Sequence, residues 1–358
     1  MEKRTSFLPG KPWLDTDGKR IQAHGGSVFY ENGTYYWYGE NKAKTTPDSG
    51  VRSYGVEMYS SKDLYNWKDE GLILAPSDDP ESPLHPSRIL DRPHVLHCKK
   101  TGKYVMWMKF AGTYEKKDDW DVQYAGIATA DKLTGPYTLQ KTIAPQGQAK
   151  FGDFDLFIDD DGTAYVIYEK PHTELMIATL TDDFEDFEGT FTSHFHYKNP
   201  PFVREAPGIF KRNGKYYIIS SGTTGYFPNP SEIGVSDSMH GDWTSLGDPC
   251  IGDGKRNSFH AQFSSVFRVH GTDIFIAMGD RWLTDLPEDM PDVMRVFEGW
   301  FDPEKESVMT AAELNSYTTF NTSLADYVWL PFRFETLPDG TEKPTLTFVP
   351  EWKIEDEI

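Results

Sequence analysis

A short strand–turn–strand pattern recurs five times along the chain, and this repeat constrains the fold more than any other feature of the sequence. Each copy has an apolar strand, a tight polar turn that ends in glycine, and a second strand rich in aromatic and β-branched residues. The copies span residues 27–38, 94–107, 156–166, 209–218 and 266–275, with turn glycines Gly33, Gly102, Gly162, Gly214 and Gly271. Asn-Gly and Asp-Gly turns between such strands are typical of β-hairpins, because both central turn positions need a positive φ.

The spacing of the repeats predicts the architecture. Neighbouring turn glycines are separated by roughly 50 to 70 residues, which is enough for one four-stranded sheet in each interval. Five such units favour radial packing as blades, because that arrangement leaves few exposed sheet edges. We therefore predict an all-β fold, a five-bladed β-propeller, built as a single domain over residues 1–358. Residues 310–358 lack the repeat and are predicted to be a closing or packing extension.

The charge balance limits the class of partner. The net charge is -20 at pH 7 and the pI is about 4.9, whereas nucleic acids and anionic membranes favour surfaces rich in Lys and Arg. An uncharged or weakly charged substrate is expected, and neither nucleic acid nor membrane is an expected partner. Aromatic residues make up 15% of the chain. We expect roughly two thirds of these rings to fill the gaps between sheets and the rest to offer flat platforms for sugar rings.

The cysteines and the N-terminal sequence indicate whether disulfides, a zinc site or a secretion signal should be expected. Cys98 and Cys250 are the two cysteines, and no short-spaced metal pattern accompanies them, so neither a disulfide framework nor a zinc site is expected. The first residues lack the apolar run of a signal peptide, and no later stretch is apolar enough to span a bilayer. The chain as given is expected to be cytoplasmic, although a chain trimmed of a leader would look the same.

Polar residues just before the repeats are the candidates for chemistry, because the innermost strands of a propeller surround one axis. These segments are His24-Gly25-Gly26, Asp91-Arg92-Pro93, Asp153-Phe154-Asp155, Arg204-Glu205-Ala206-Pro207 and His260-Ala261-Gln262. A lone acid near a strand end is usually solvated or caps a turn, but several acids on one axis favour a functional site. Glycoside cleavage needs an acid that protonates the leaving oxygen and a second group that activates water. An Asp close to Glu205 would raise the pKa of Glu205 and keep it protonated near neutral pH.

At these residues the chain resembles glycoside hydrolase family 43 over nearly its whole length, and it looks most like the branch of exo-acting β-1,3-galactanases. The motifs that carry the resemblance are 21–26, 35–40, 91–95, 104–108, 153–162, 205–207, 221–226 and 279–282. Together these motifs are specific, whereas any one of them alone would be weak.

The resemblance implies an inverting mechanism with named residues. Glu205 would be the general acid, and Asp153 would tune its pKa and orientation. Most of the family has an Asp as general base where this chain has Gly25, and the galactanase branch shares that absence. In that branch a Gln of the fifth blade is thought to act as base through its imidic acid form, and Gln262 matches its position.

The resemblance also implies which residues contact the sugar. They are Glu40, Asp91, Trp120, Thr224 and Tyr226. Three of these positions depart from the branch: Asp91 stands where Glu is usual, Trp120 where Tyr is usual, and Tyr226 where Trp is common. Such changes alter the reach of a side chain toward a hydroxyl group and leave the exact sugar open.

The implied activity is that of an exo-β-1,3-galactosidase acting on arabinogalactan-derived oligosaccharides. No cofactor is expected to be required, while a structural calcium ion is compatible with the resemblance, since some relatives carry an ion in the central channel. Three alternatives stay open: an α-L-arabinofuranosidase or β-xylosidase of the same family, a non-catalytic sugar-binding propeller, and a protein-interaction propeller. The last is disfavoured, because such surfaces rarely need acids that converge on the axis. The oligomeric state is not predicted.

Overall fold

The computed structural model describes residues 3–113, 115–116 and 119–357, which form two compact units. Unit 1 consists mainly of Trp13–Pro171 and Met176–Ser193. Unit 2 consists mainly of the chain from His194 onward, together with Ser6–Pro12 and His172–Leu175. Both units are built from β-strands, which confirms the all-β prediction.

Unit 1 contains three sheets of four strands, apart from the end residues of two strands that belong to unit 2. The strands of the first sheet are β1 (His24–Glu31), β2 (Thr34–Glu40), β3 (Val56–Ser61) and β4 (Lys68–Leu74). Those of the second are β5 (Ile89–Cys98), β6 (Lys103–Ala111), β7 (Gln123–Ala130) and β8 (Thr138–Ile143). Those of the third are β9 (Phe154–Ile158), β10 (Ala164–Lys170), β11 (Glu174–Leu180) and β12 (Phe187–His194). In each sheet, sequential strands are neighbours.

Unit 2 contains one sheet of four strands and two of three. The four-stranded sheet comprises β13 (Arg204–Arg212), β14 (Lys215–Gly222), β15 (Glu232–Ser236) and β16 (Thr244–Gly247). The other strands are β17 (Cys250–Ile251), β18 (Gln262–Arg268), β19 (Phe275–Arg281), β20 (Asp326–Pro331), β21 (Arg333–Thr336) and β22 (Glu342–Thr347). They are ordered β18-β19-β20 and β17-β22-β21. Between β19 and β20 the chain forms two helices, α1 (Val293–Phe301) and α2 (Ala311–Asn315).

The prediction of a five-bladed propeller is wrong, because the described residues form six sheets, which count as six blades rather than five. The additional sheet joins the hairpin β21–β22 to the two-residue strand β17, which pairs with β22 in parallel. Most of this sheet comes from the segment 310–358 that was predicted to be a closing extension. The parallel partner lies far upstream in sequence, so a search for local hairpins could not assemble the sheet.

The five predicted hairpin turns are confirmed. Each turn glycine lies between the first two strands of its sheet and has a positive φ, from +72° at Gly102 to +91° at Gly162. At Asn32 and Asn213, which precede Gly33 and Gly214, φ is also positive. Two consecutive positive φ angles are the signature of the type I′ hairpin turn, whose twist matches that of the flanking strands.

Aromatic side chains fill the interior of both units. Trp37, Trp67 and Trp107 are fully buried in unit 1, and Trp329 is fully buried in unit 2. Phe210 is 3% exposed, and its ring centroid lies 5.1 to 5.2 Å from those of Tyr217, Phe275 and Phe332. In the part of the chain that the structure describes, no helix has the length and apolar character needed to cross a bilayer.

We expect Phe210→Ala to destabilise the protein by about 3–5 kcal/mol, because truncation removes ring contacts and leaves a cavity among three neighbouring rings. Urea unfolding measures the effect as a lower midpoint. Val308→Ala is the control, since Val308 is 42% exposed and its truncation should change stability by no more than about 0.5 kcal/mol. Equal midpoints for the two variants would contradict this description of the core.

Candidate functional site

A β-bulge at the start of the first strand orients the candidate side chains in three sheets. The strand register shifts just after the beginnings of β1, β5 and β13. In each bulge one residue has a positive φ: Gly25 at +60°, Arg92 at +51° and Ala206 at +48°. Arg92 and Ala206 directly follow Asp91 and Glu205. Bulges redirect side chains and are frequent beside active sites, and a positive φ at a non-glycine residue is a strained conformation.

Six charged side chains of unit 1 form a group that we call the salt-bridge cluster. Its members are Glu40, Lys42, Asp91, Arg92, Lys109 and Asp153. Three of these side chains are acidic and three are basic, so the cluster has no net formal charge when all six are ionised. Burial of charges is costly unless each one is paired, and here the ion pairs connect all six side chains.

Asp153 is held by two cations. One carboxylate oxygen lies 2.7 Å from the Lys109 ammonium and the other lies 2.8 Å from Nε of Arg92. Burial alone would raise the pKa of Asp153, but Arg92 and Lys109 outweigh it and lower the pKa to about 2. Burial likewise lowers the pKa of Lys109, while Asp153 and Asp91 outweigh that effect and raise it. Asp153 is therefore a permanent carboxylate at neutral pH.

Glu40 lies at the end of β2 and is 2% exposed. Its Oε1 accepts a hydrogen bond of 2.9 Å from the Arg92 backbone N–H, and its Oε2 lies 2.6 Å from the Lys42 ammonium. Burial raises the pKa of Glu40 to about 7, although Lys42 opposes the shift. A Cβ atom at Gly25 would lie 2.5 Å from Oε1 of Glu40. The Glu40 carboxylate thus occupies the space that a side chain at position 25 would need.

Asp91 and Trp120 are the more accessible predicted sugar contacts in unit 1. The Asp91 side chain is 14% exposed and lies 3.0 Å from the Lys109 ammonium and 3.8 Å from that of Lys42. Burial would raise the pKa of Asp91, but the two lysines lower it. Trp120 is 41% exposed, and its ring centroid lies 5.5 Å from Nζ of Lys109. A charged carboxylate and an exposed indole are both groups that bind sugars, the first through hydroxyl groups and the second through ring stacking.

Four side chains of unit 2 form a second group, the Glu205 cluster, which comprises Glu205, Ser221, Gln262 and Trp282. Gln262 begins β18 and is 7% exposed. Its Nε2 donates to Oε1 of Glu205 at 3.0 Å and to Oγ of Ser221 at 2.9 Å. Its Oε1 accepts a hydrogen bond of 3.0 Å from the indole N–H of Trp282. The predicted acid and the predicted base therefore make direct contact.

Thr224 and Tyr226 lie on the segment that follows β14. Thr224 is fully buried, and its hydroxyl donates to the backbone oxygen of Phe227 at 2.6 Å and accepts from Asn229 at 2.7 Å. This hydroxyl stabilises the turn rather than facing outward. Tyr226 is half-buried, with its ring centroid 5.3 Å from that of Trp282. Of the two predicted sugar contacts, Tyr226 is the more accessible.

The structure thus brings Glu40, Asp91 and Asp153 together in unit 1, and Glu205 and Gln262 together in unit 2. Roles for the basic side chains of the salt-bridge cluster were missed at the sequence level, as were those of Ser221 and Trp282. Lys109 had a readable signal, because it interrupts the buried apolar run of β6. Among the described residues, no group of three or more His, Cys, Asp or Glu side chains is arranged to hold a metal ion.

Comparisons with known proteins identify the family of the chain. Residues 21–276 match the family described as Glycosyl hydrolases family 43. An arabinoxylan arabinofuranohydrolase from Paenibacillus polymyxa is 27% identical over 251 residues, which cover 62% of this chain and 37% of that protein. The chain therefore spans little more than a third of the length of this curated relative.

Two solved structures are similar over almost the whole chain. A GH43 β-1,3-galactosidase superposes with a TM-score of 0.78 at 31% identity, covering 99% of this chain and 64% of that one. An exo-β-1,3-galactanase from Phanerochaete chrysosporium, solved with β-1,3-galactotriose, superposes with a TM-score of 0.75 at 25% identity. That match covers 98% of this chain and 68% of the galactanase chain.

We expect Gly25→Ala to destabilise the protein more than an ordinary substitution at a positive φ. The new Cβ would displace the Glu40 carboxylate from Arg92 and Lys42, in addition to the strain of a left-handed alanine. Gly102→Ala is the matched control, because Gly102 has a φ of +72° but no atom within 4 Å of a Cβ. Urea unfolding should show a loss of about 1–2 kcal/mol for Gly102→Ala. A loss at least about 2 kcal/mol larger is expected for Gly25→Ala, and equal losses would contradict the packing at Gly25.

We expect the stability difference between wild type and Glu40→Gln to depend on pH. Between pH 4.5 and about 7 the folded state keeps the Glu40 proton that the unfolded state has lost, so rising pH destabilises the wild type but not the variant. Urea unfolding at several pH values measures the difference.

Asp153→Asn is the control for this pH dependence. The stabilising charge of Asp153 is fully present above its ordinary pKa of 3.8 and is lost only as the pH falls toward 2. The difference between wild type and Asp153→Asn should therefore stay constant from pH 4.5 to 7.5. Parallel pH trends for the two variants would refute the assigned directions.

Proposed function

The chain belongs to glycosyl hydrolases family 43, and on that premise we propose that it is an inverting, exo-acting glycoside hydrolase that releases terminal galactose from β-1,3-linked galactan or arabinogalactan oligosaccharides. The observation that carries the choice of sugar is the extent of the similarity. The β-1,3-galactosidase superposes over 99% of this chain at 31% identity, with a TM-score of 0.78, and the exo-β-1,3-galactanase superposes over 98% at 25% identity. The net charge of -20 fits an uncharged saccharide better than an anionic polymer.

Glu205 is the proposed general acid. It transfers its proton to the glycosidic oxygen as the bond between that oxygen and the anomeric carbon breaks. Water attacks the opposite face of the anomeric carbon and loses a proton to a base, and Glu205 then regains a proton from solvent. The resemblance assigns the base to Gln262. An amide is a very weak base, so this part of the proposal depends on how the surrounding groups polarise Gln262.

The proposed sugar contacts differ in what they contribute. The exposed indole of Trp120 and the half-buried ring of Tyr226 are suited to stacking, and the Asp91 carboxylate is suited to accepting hydrogen bonds from hydroxyl groups. Glu40 and Thr224 are almost fully buried. We propose that these two act mainly by fixing the residues around them.

A second candidate activity is that of an α-L-arabinofuranosidase or β-xylosidase. It is favoured by the arabinoxylan arabinofuranohydrolase from Paenibacillus polymyxa, which shares 27% identity with this chain. Hydrolysis of aryl β-galactosides, aryl α-L-arabinofuranosides and aryl β-xylosides at equal concentration separates the two proposals. A dominant rate on either pentoside would replace galactose as the proposed product.

The proposed reaction uses only water and two proton-transfer groups, so it includes no cofactor. A structural calcium ion stays part of the proposal as an accessory that does not enter the chemistry. Thermal unfolding with and without calcium tests it, and an increase in Tm with calcium is the expected sign of binding.

We expect Glu205→Gln to lower kcat on β-1,3-galactobiose by at least a hundredfold, because the amide cannot donate the proton that the departing sugar needs. Galactose release, followed by chromatography, measures the loss. Glu188→Gln is the control, since Glu188 is an exposed residue of β12 and should keep wild-type turnover. Full activity of Glu205→Gln would reject the assignment of the acid.

A further inference from the structure

The Gln262 amide is fixed by hydrogen bonds on both of its polar atoms. Its oxygen faces the indole N–H of Trp282 at 3.0 Å, and its nitrogen faces Glu205 and Ser221 at 3.0 and 2.9 Å. An indole N–H only donates, so the atom opposite it has to be the amide oxygen rather than the nitrogen. Trp282 therefore determines which end of the amide faces Glu205.

This orientation favours the amide form of Gln262 over the imidic acid form. The amide form places a carbonyl oxygen against the donor of Trp282 and supplies one N–H each to Glu205 and Ser221. The imidic acid form would present a hydroxyl oxygen, a weaker acceptor than a carbonyl oxygen, to the indole N–H, and would supply one N–H where there are two acceptors. Each lost hydrogen bond at this buried site is costly.

The contact with Glu205 also differs from that expected between an acid and a base on opposite faces of a sugar. Inverting glycosidases separate those two groups by roughly 6.5–9.5 Å, so that water fits between them. Here the two side chains are in direct contact at 3.0 Å, which leaves no space for water. The hydrogen bond to Oε1 of Glu205 instead favours the proton of the neutral acid on Oε2, because a carbonyl oxygen accepts more strongly than a hydroxyl oxygen.

We propose that Trp282 and Gln262 are positioning residues for the general acid, with Trp282 fixing the amide so that Gln262 holds Glu205 with its proton on Oε2. This inference rests on the proposed function of Glu205. It assigns Gln262 to the protonation of the leaving group and so replaces the role of base that the resemblance implies for it; the group that takes the proton of the attacking water is then another one.

Trp282 packs against the segment between β19 and β20. It is 5% exposed and packs in an apolar cluster with residues of α1 and α2, among them Val293, Val296 and Leu314. Helix α2 begins with a capping box, in which Thr310 and Glu313 exchange hydrogen bonds. The two helices thus support the indole that orients the amide.

Two substrates whose leaving groups differ in their need for a proton distinguish a role in acid catalysis from a role in base catalysis. A sugar leaving from β-1,3-galactobiose needs a proton, whereas 2,4-dinitrophenolate leaving from its β-galactoside does not. The variants are Trp282→Phe, which keeps a ring but loses the N–H, and Gln262→Leu, which loses the amide. Glu205→Gln is the reference for loss of the acid, and Trp243→Phe, which loses an indole N–H donated to Met239, is the matched control.

On β-1,3-galactobiose we expect kcat to fall by about tenfold for Trp282→Phe and by about a hundredfold for Gln262→Leu, with KM within about twofold of wild type. On the dinitrophenyl galactoside both variants should stay within about threefold of wild type, as should Glu205→Gln. The alkaline limb of the pH profile of kcat/KM on galactobiose should move to higher pH in Gln262→Leu, because a donor to the carboxylate has been removed. Trp243→Phe should match wild type on both substrates.

Equal losses on the two substrates, with turnover of Gln262→Leu restored by azide, would overturn the proposal and make Gln262 the base. Unchanged turnover of Trp282→Phe on both substrates would remove Trp282 from the mechanism. If Trp282→Phe does not fold, as judged by circular dichroism, Gln262→Leu decides the question alone. A wild-type protein that hydrolyses neither galactoside would instead refute the proposed sugar, and the same comparison would then use the aryl pentoside that it does cleave.

Discussion

The bulge at the start of the first strand is the constraint on which the candidate chemistry depends. A regular strand would alternate its side chains between the two faces of its sheet, but a bulged residue with a positive φ breaks that alternation. At Arg92 this break lets the backbone N–H reach Glu40 while the side chain reaches Asp153. At Ala206 it immediately follows Glu205, whose carboxylate contacts Gln262. Strained backbone of this kind persists only where the surrounding contacts enforce it.

The salt-bridge cluster shows how a buried set of charges stays balanced. Three acids and three cations alternate through contacts as short as 2.6 Å between Lys42 and Glu40, so that no member is buried without an opposite charge. The members are not equivalent. The pKa of Asp153 is lowered to about 2, whereas burial raises that of Glu40 to about 7. Neighbouring carboxyl groups with opposite shifts are suited to different roles, one as a fixed charge and one as a group that exchanges protons near neutral pH.

The sequence predicted the local features and missed those that need distant partners. The five Gly-containing turns and the all-β class follow from neighbouring residues, and the structure confirms both. The sixth sheet was not predicted, because β17 has only two residues and pairs in parallel with the distant strand β22. Its hairpin did have a readable turn signal, Asp339-Gly340 between β21 and β22. Lys109 is marked as unusual by its place in the apolar run of β6, but its ion pair with Asp153 could not be predicted from neighbouring residues, nor could the contact of Trp282 with Gln262, since both partners are distant in sequence.

The proposed reaction depends on one chemical claim, that Glu205 protonates a departing sugar while water attacks from the opposite face. Proton NMR of a fresh reaction with the methyl β-glycoside of β-1,3-galactobiose tests this claim most directly, because free galactose then comes only from the cleaved unit and its anomers give separate signals before they interconvert. We expect α-galactose to appear first, since single displacement inverts the β linkage. First appearance of β-galactose, or the absence of galactose, would contradict it.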